Sequence, residues 1–357
     1  MANNPAPENE PLLTDLLRAV SRSFYLTLRV LPSPVRPSIS LAYLLARTSD
    51  TIADTEVLPP EDRLGALQDF HKAITTGQET QCDFTSFLAH QTRSKERTLL
   101  ERVNESLALL RSTESTDRQL IIDVLETIIS GQQLDLERFQ NASAEMPTCL
   151  ATADELDDYT YRVAGCVGEF WTRVCFRHLR PDEPSPCQET IDQGIRFGKG
   201  LQLVNILRDF QEDLAQGRCY LPRQELGDAI PQSGKQLDQE QERRLAGSYQ
   251  NSVRVAEQHL QAGWRYTCAL PRTWLKLRLA CAWPVLLGFE TLRLLPCNNP
   301  LGSTQKAKVS RGQVKWIILK TLLAAPFPPI WNRLAPTEGK PMASASARSA
   351  PRSKPEN

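Results

Sequence analysis

From Leu12 to about Ala325 the apolar positions recur every three or four residues, with few alternating β-branched runs. That spacing lays an apolar stripe along a helix. The pattern breaks at Pro32 and Pro34, at Pro59 and Pro60, across Arg180–Pro186, and at Pro222. Proline lacks the N–H that a helix interior needs, so these positions read as helix boundaries. No strand–turn–strand signal and no glycine-rich phosphate loop accompanies them. The pattern predicts an all-α protein. No linker divides its middle, so one helical domain is expected over 11–335. The polar stretch from about Gln224 to Gln241 reads as a loop ahead of a long helix. A disordered leader over 1–10 and a disordered Ala/Ser/Pro/Lys/Arg-rich tail over 336–357 are expected to flank the domain.

Composition narrows the function. Lys+Arg and Asp+Glu are 42 each, so no overall field recruits nucleic acid, and no nucleic-acid partner is expected. Affinity for an anion must come from a local cluster. Nine cysteines are scattered without CxxC pairs, and Cys166, Cys175, Cys268 and Cys281 sit in helical apolar patterns. They read as reduced, buried thiols. The four histidines, His71, His90, His178 and His259, form no zinc-type pattern with them. The N-terminus MANNPAPENEP lacks the layout of a signal peptide, and no run reaches the roughly 18 apolar residues of a membrane span. A cytoplasmic protein is expected. The segment 314–331 leaves two readings open: an amphipathic terminal helix packed on the core, or a peripheral contact on the inner face of the membrane. A monomer or weak dimer is expected.

Two acidic motifs carry the chemistry. Asp50 and Asp54 are four residues apart in a helical stretch, which puts both on one face, with Arg47 and Tyr43 continuing the line. Asn205, Asp209 and Asp213 repeat at the same spacing, with Gln202 at the upstream end, and Arg208 and Glu212 beside the stripe. Gly217 and Arg218 close that helix. Like charges at this spacing destabilise a helix by a few tenths of a kcal/mol per pair. A shared cation offsets that cost. Mg²⁺ takes oxygen ligands from one or two carboxylates, water and substrate phosphate. The two stripes could hold roughly two or three such ions with a diphosphate, while Arg22, Arg47, Arg208 and Arg218 meet the remaining oxygens.

The stretches Ser21-Arg22-Ser23-Phe24, Asp50-Thr-Ile-Ala-Asp54, Tyr159 to Gly168, and Gln202 through Asp213 to Pro222 occur in one order. Together they resemble the squalene/phytoene synthase family, over roughly residues 15–325. The resemblance is nearest to its bacterial-type, squalene-forming branch. It implies an isoprenoid-synthase helical bundle with a central cavity between two aspartate-rich helices. It also implies head-to-head joining of two prenyl diphosphates, farnesyl diphosphate being the expected substrate, through presqualene diphosphate. On that resemblance Asp50, Asp54, Asp209, Asp213, Asn205 and Glu212 would serve Mg²⁺. Ser21, Arg22, Tyr43, Arg47, Gln202, Arg208 and Arg218 would bind diphosphate. Tyr159, Arg208, Asp50 and Asp209 would be catalytic. Phe24, Val163, Ala164, Gly165, Val167, Gly168 and Leu203 would line the prenyl pocket. For the small residues among them, plain helix–helix packing is an equal reading.

Ala280-Cys281-Ala282-Trp283-Pro284 resembles a Cys-Ala-x-Pro stretch of the reductive members, and Lys308 to Gly312 resembles their Lys-x-x-(Arg/Lys)-Gly element. NADPH would then bind at Cys281, Pro284, Lys308 and Arg311, within the helical cavity, because no Rossmann fingerprint is present. Ala280 stands where those members carry an aromatic residue. Asn205 to Asp209 and Arg218 to Pro222 read more like the bacterial carotenoid branch. The non-reductive phytoene or dehydrosqualene synthase therefore stays open. So does a non-catalytic assembly protein of the same fold.

Overall fold

The computed structural model describes residues 16–20, 24–76, 81–91, 93–180, 182–183, 185–233, 235–302 and 307–336. The expected leader over 1–10, and all of the expected tail beyond Pro336, lie outside the described residues. Helices α1 (Leu17–Val20), α2 (Phe24–Val30), α3 (Arg36–Ala53), α4 (Pro60–Thr75), α5 (Thr85–His90), α6 (Ser94–Glu101), α7 (Val103–Ser112) and α8 (Ser115–Phe139) come first. The chain continues through β1 (Thr148–Cys149), α9 (Ala153–Thr160), a π-helical turn at Tyr161–Gly165, and α10 (Cys166–Leu179). Then follow α11 (Gln188–Ala215), β2 (Arg218–Cys219), α12 (Arg223–Leu226), α13 (Gln239–Ala269), α14 (Leu275–Leu294), α15 (Arg311–Ala324) and α16 (Pro328–Asn332). The proline-marked breaks fall between helices as predicted. The polar stretch after Pro222 carries only the short α12 before the long α13.

The chain forms two compact units: residues 1–141, 161–198 and 272–280 make the first, and 142–160, 199–271 and 281–357 the second. In the first, α8 packs against α3, α4 and α10. Its buried Ile121, Val124, Leu125, Ile128 and Ile129 explain why this helix sits in the middle. Phe84 meets both Phe70 and Phe87 edge-on, with centroids 6.3 and 5.9 Å apart, an arrangement that suits the ring quadrupole. Asp117, at the start of α8, is buried and accepts from Ser38, His178 and Arg177. A buried carboxylate needs partners of this kind.

In the second unit, the Tyr249 hydroxyl of α13 donates to the Leu207 carbonyl of α11 at 2.7 Å. The Tyr249 ring meets Phe210 edge-on at 5.5 Å. Trp283 Nε1 donates to Thr321 Oγ1 at 3.0 Å and ties α15 to α14. Trp331 of α16 stacks on Trp264 of α13 at 5.7 Å. The strands β1 and β2 pair in parallel, Thr148 with Arg218 and Cys149 with Cys219. Two-residue strands are too short for a period-two signal, and the all-α class stands. All nine cysteines are free thiols; Cys166, Cys175 and Cys281 are buried, and Cys268 is half-buried.

Candidate active site

Helix α3 starts with a proline in its first turn, where a missing N–H costs nothing, and buries Leu41, Leu44, Leu45 and Ile52. Its polar line of Tyr43, Arg47 and Asp50 is only partly covered. Arg47 Nη1 donates to Asp50 Oδ2 at 2.9 Å. Gln132 Nε2 of α8 donates to Asp50 Oδ1 at 2.6 Å. The Asp50 side chain keeps 38% exposure, yet the protein around it desolvates the carboxylate enough to push its pKa up, against the pull of Arg47 and Gln132. Arg47 is also desolvated, but Asp50 and Asp54 outweigh this and hold its pKa high. The ionised arginine is comfortable here, and the ionised Asp50 is not.

Asp54 lies one residue past α3, as its C-cap, with its N–H on the Asp50 carbonyl at 2.8 Å. Its side chain is exposed. The buried Arg63 donates to the Ala53 carbonyl at 2.9 Å and satisfies one of the open carbonyls at this helix end.

On α11 the second stripe is anchored by the buried Leu203, Ile206, Leu207 and Phe210. Arg208 donates to both oxygens of Asp209, Nε at 2.9 Å and Nη2 at 2.6 Å. That fork, with Glu212 and Asp213 nearby, raises the Arg208 pKa. Asn205 and Glu212 are exposed; Gln202, Arg208, Asp209 and Asp213 are half-buried. The helix stops at Gly217, whose φ of +80° favours glycine. A Cβ there would stand 2.4 Å from the Ser143 nitrogen. This stop delivers Arg218, half-buried, onto β2.

Asp50 and Asp54 lie in and just past the last turn of α3, Asp213 lies in the last turn of α11 with Asp209 a turn further in, and neither last turn holds a basic residue. The macrodipole makes that end negative already, so carboxylates there are disfavoured by about 0.3–1 kcal/mol. A bound cation is the partner that such ends favour. The donor set suits Mg²⁺, since the stripe side chains offer carboxylate and amide oxygens and no thiol or imidazole. Among the described residues, no three His, Cys, Asp or Glu side chains converge on one point. An ion at either stripe would complete its shell with water and phosphate oxygens.

Tyr159, at the end of α9, is buried and stacks on Tyr220, with centroids 4.8 Å and hydroxyl oxygens 3.4 Å apart. Lys199 Nζ donates at 2.7 Å to Oδ2 of Asp157, on the same helix as Tyr159. Sequence reasoning passed over Gln132, Tyr220, Lys199 and Asp157 as site candidates. Tyr220 lies inside the quoted Arg218–Pro222 stretch and could have been found there. Gln132 carries no local signal, because its partner is 82 residues away.

The small residues of the expected pocket split between the two readings. Gly168 abuts α11: a Cβ on it would stand 1.9 Å from the Gly194 carbonyl oxygen, and one on Gly198 would stand 2.1 Å from that of Ala164. These contacts are helix–helix packing. Gly165 is buried, Val163 and Ala164 are half-buried, and Val167 is exposed. Ser21 and Arg22 lie outside the described residues, and of Phe24 only its place at the start of α2 is described.

The four residues expected at NADPH are unevenly placed. Cys281 is 1% exposed inside α14, so its thiol faces protein and does not fit a direct cofactor contact. Pro284 is half-buried within α14, while Lys308 and Arg311 are exposed cations able to meet phosphate.

The chain is almost wholly helical and carries two acidic stripes, each beside an arginine, on α3 and α11. The model of the squalene/phytoene synthase family matches residues 17–313, and the chain belongs to that family. The squalene synthase of Eremothecium gossypii is 28% identical over 314 residues, 86% of this chain and 66% of that protein. The chain thus spans just under two thirds of the length of this curated relative. Among solved structures, TcSQS with a bound ligand superposes with a TM-score of 0.70 at 23% identity, covering 91% of each chain. A dehydrosqualene synthase in complex with a ligand gives 0.59 at 18% identity, covering 89% of this chain and 97% of that one. These likenesses place the chain in the isoprenoid-synthase type of helical fold.

Proposed function

We propose that this chain is a prenyltransferase that joins two farnesyl diphosphates head to head through presqualene diphosphate and reduces that intermediate to squalene with NADPH. The observation that carries the reading is an acidic pair running to the negative end of each of two helices, α3 and α11, with an arginine beside each pair. Such ends favour cations, and a diphosphate brings cations with it.

In this reading Asp50, Asp54, Asp209 and Asp213, supported by Asn205 and Glu212, hold Mg²⁺. The metal supplies Lewis-acid help to the departing diphosphate. Arg47, Arg208 and Arg218, with Ser21, Arg22, Tyr43 and Gln202, bind the phosphate oxygens that the metal leaves free. When diphosphate arrives, the Arg208 fork can exchange one carboxylate oxygen for a phosphate oxygen at little loss of hydrogen bonding. Tyr159, held by its stack on Tyr220 and with its hydroxyl 3.4 Å from that of Tyr220, presents a phenol and an aromatic face to the carbocationic centre. Val163 and Ala164, both half-buried, offer apolar surface to the prenyl chains and no nucleophile, while Leu203 is enclosed beneath the α11 stripe. NADPH, when bound, supplies the hydride, and Lys308 and Arg311 meet its phosphates.

A non-reductive phytoene or dehydrosqualene synthase is the second reading. It is favoured by Ala280 in place of an aromatic residue and by the enclosed Cys281 thiol. The test is product analysis with farnesyl diphosphate and Mg²⁺, with and without NADPH. Squalene formed only with NADPH supports the first reading. A polyene or alcohol formed regardless of NADPH supports the second. No product from farnesyl or geranylgeranyl diphosphate would return the chain to the assembly-protein reading.

A further inference from the structure

The short strands β1 and β2 each end in a cysteine, and their parallel register sets Cys149 against Cys219. The ladder is held by the Thr148 N–H on the Gly217 carbonyl at 2.8 Å and the Leu150 N–H on the Cys219 carbonyl at 3.1 Å. Register partners on neighbouring strands put their side chains on one face. Here the two thiols are in hydrogen-bond contact. Paired strands lie about 4.7–4.9 Å apart, inside the range of roughly 4.4–6.8 Å between Cα atoms that a disulfide spans. A bridge can therefore close without moving the backbone. Both residues are free thiols, Cys149 half-buried and Cys219 0% exposed. The hydrogen bond from Cys219 holds the Cys149 thiol below its usual pKa against the opposing effect of burial, with help from the charge of Arg223. The same bond, together with burial, pushes Cys219 well up.

We propose that Cys149 and Cys219 form an oxidisable dithiol whose substrate is a hydroperoxide, Cys149 attacking and Cys219 resolving, so that a reversible disulfide ties β1 to β2. In the first step the Cys149 thiolate attacks a peroxide oxygen and the O–O bond breaks. Cys149 becomes a sulfenic acid, and the leaving oxygen takes a proton and departs as water or an alcohol. In the second step the Cys219 sulfur attacks the sulfenic sulfur, the S–O bond breaks, and the hydroxide leaves as water with the Cys219 proton. The two thiols give up two electrons and two protons, and the peroxide takes both. A dithiol reductant reverses the bridge by thiol–disulfide exchange. Pairing sets this site apart from Cys187, which is exposed but has Thr190 Oγ1 as its contact, at 3.1 Å. Side chains alternate along a strand, so Arg218 lies on the other face of β2 from Cys219 and the bridge leaves the arginine's face clear. Tyr220 follows Cys219 directly, and β1 leads into the helix that carries Tyr159. The bridge would fasten together the two segments that bring this tyrosine pair into contact. The site goes beyond the proposed reaction and stands without it.

The test is peptide mapping of the full chain after treatment with hydrogen peroxide, without prenyl substrate. Trypsin separates the two cysteines, onto 139–162 and 219–223. The expected product is these two peptides joined under non-reducing conditions and released by dithiothreitol. In Cys219→Ser the Cys149 sulfenic acid is expected to persist and to be trapped by dimedone. In Cys149→Ser the Cys219 thiol is expected to stay unlabelled, while Cys187 takes dimedone in every variant as the internal control. The oxidised native chain is expected to melt higher than the reduced one, a shift lost in both serine variants. Absence of the joined peptides from a chain labelled at Cys187 overturns the proposal. Joining of either cysteine to Cys187 instead overturns it too, and dimedone on Cys219 in Cys149→Ser overturns the assigned order of attack. Because no prenyl substrate is present, failure here leaves the proposed reaction untouched, and failure of turnover leaves the mapping result standing.

Discussion

Gln132 Nε2 donates to Asp50 Oδ1 at 2.6 Å, joining α8 to the acidic line of α3. The Gln132 amide oxygen, Oε1, is buried and has no hydrogen-bond partner. The side chain thus spends its donor on orienting Asp50 while its acceptor goes unmet, a sign that position rather than stability governs this contact. Gln132→Ala is expected to raise the Mg²⁺ concentration needed for half-maximal turnover while leaving the circular dichroism unchanged. An unaltered Mg²⁺ dependence would reduce Gln132 to a packing residue.

Asp50 ionises against its surroundings, so its charge should cost stability. A carboxylate whose folded pKa is raised binds its proton more tightly when folded. The penalty is absent below the unfolded value of about 3.9 and grows as pH rises through the folded value. Asp50→Asn is therefore expected to melt higher than the native chain at pH 7, with the difference closing near pH 3 to 4, while turnover is lost. Thermal melts across that range check the sign.

Asp54→Asn and Asp213→Asn should each leave the fold intact, because both side chains sit at helix ends outside the apolar core. Loss of a metal ligand worth several kcal/mol corresponds to a fall in kcat on the order of a thousandfold. Near-native turnover in either variant would overturn the assignment of the stripes.

Tyr159→Phe keeps the ring that stacks on Tyr220 and removes only the hydroxyl. The expected result is a lower kcat at little-changed KM, measured under steady-state conditions. A change confined to KM would assign the pair to substrate binding instead.

Gly168→Ala tests helix packing. Its new methyl would collide with the Gly194 carbonyl, which is backbone and cannot swing aside. Overpacking of this kind costs about 1–3 kcal/mol or more, readable in urea denaturation. A neutral effect would show that α10 and α11 separate easily.

Asp117 offers the opposite pH signature to Asp50. Burial raises its pKa, but the hydrogen bonds from His178 and Ser38 and the charge of Arg177 outweigh this and bring it below the ordinary value. Its stabilisation is present above the unfolded value of about 3.9 and is lost as pH falls through the lower folded one. Asp117→Asn should destabilise by about 3 kcal/mol at pH 7, since it strips a buried network of its charge, and by progressively less in acid.

Much of this protein follows from local pattern alone. The three-to-four-residue apolar period, the prolines at Pro59, Pro60 and Pro222, and Gly217 after α11 set the helix boundaries, because each acts through its own backbone. Asp50 with Arg47, and Asp209 with Arg208, were legible because helical spacing determines which neighbours share a line. What tertiary structure decided was every relation between distant segments. Gln132 reaches Asp50, Tyr220 stacks on Tyr159, Gly168 packs on Gly194, and Cys281 turns into the core. Spacing cannot report these, since which side chain meets which depends on how the helices pack. The same holds for α15: its sequence is apolar on nearly all sides, and only packing decides that Ile317 and Thr321 are covered while Trp316 and Leu323 face outward.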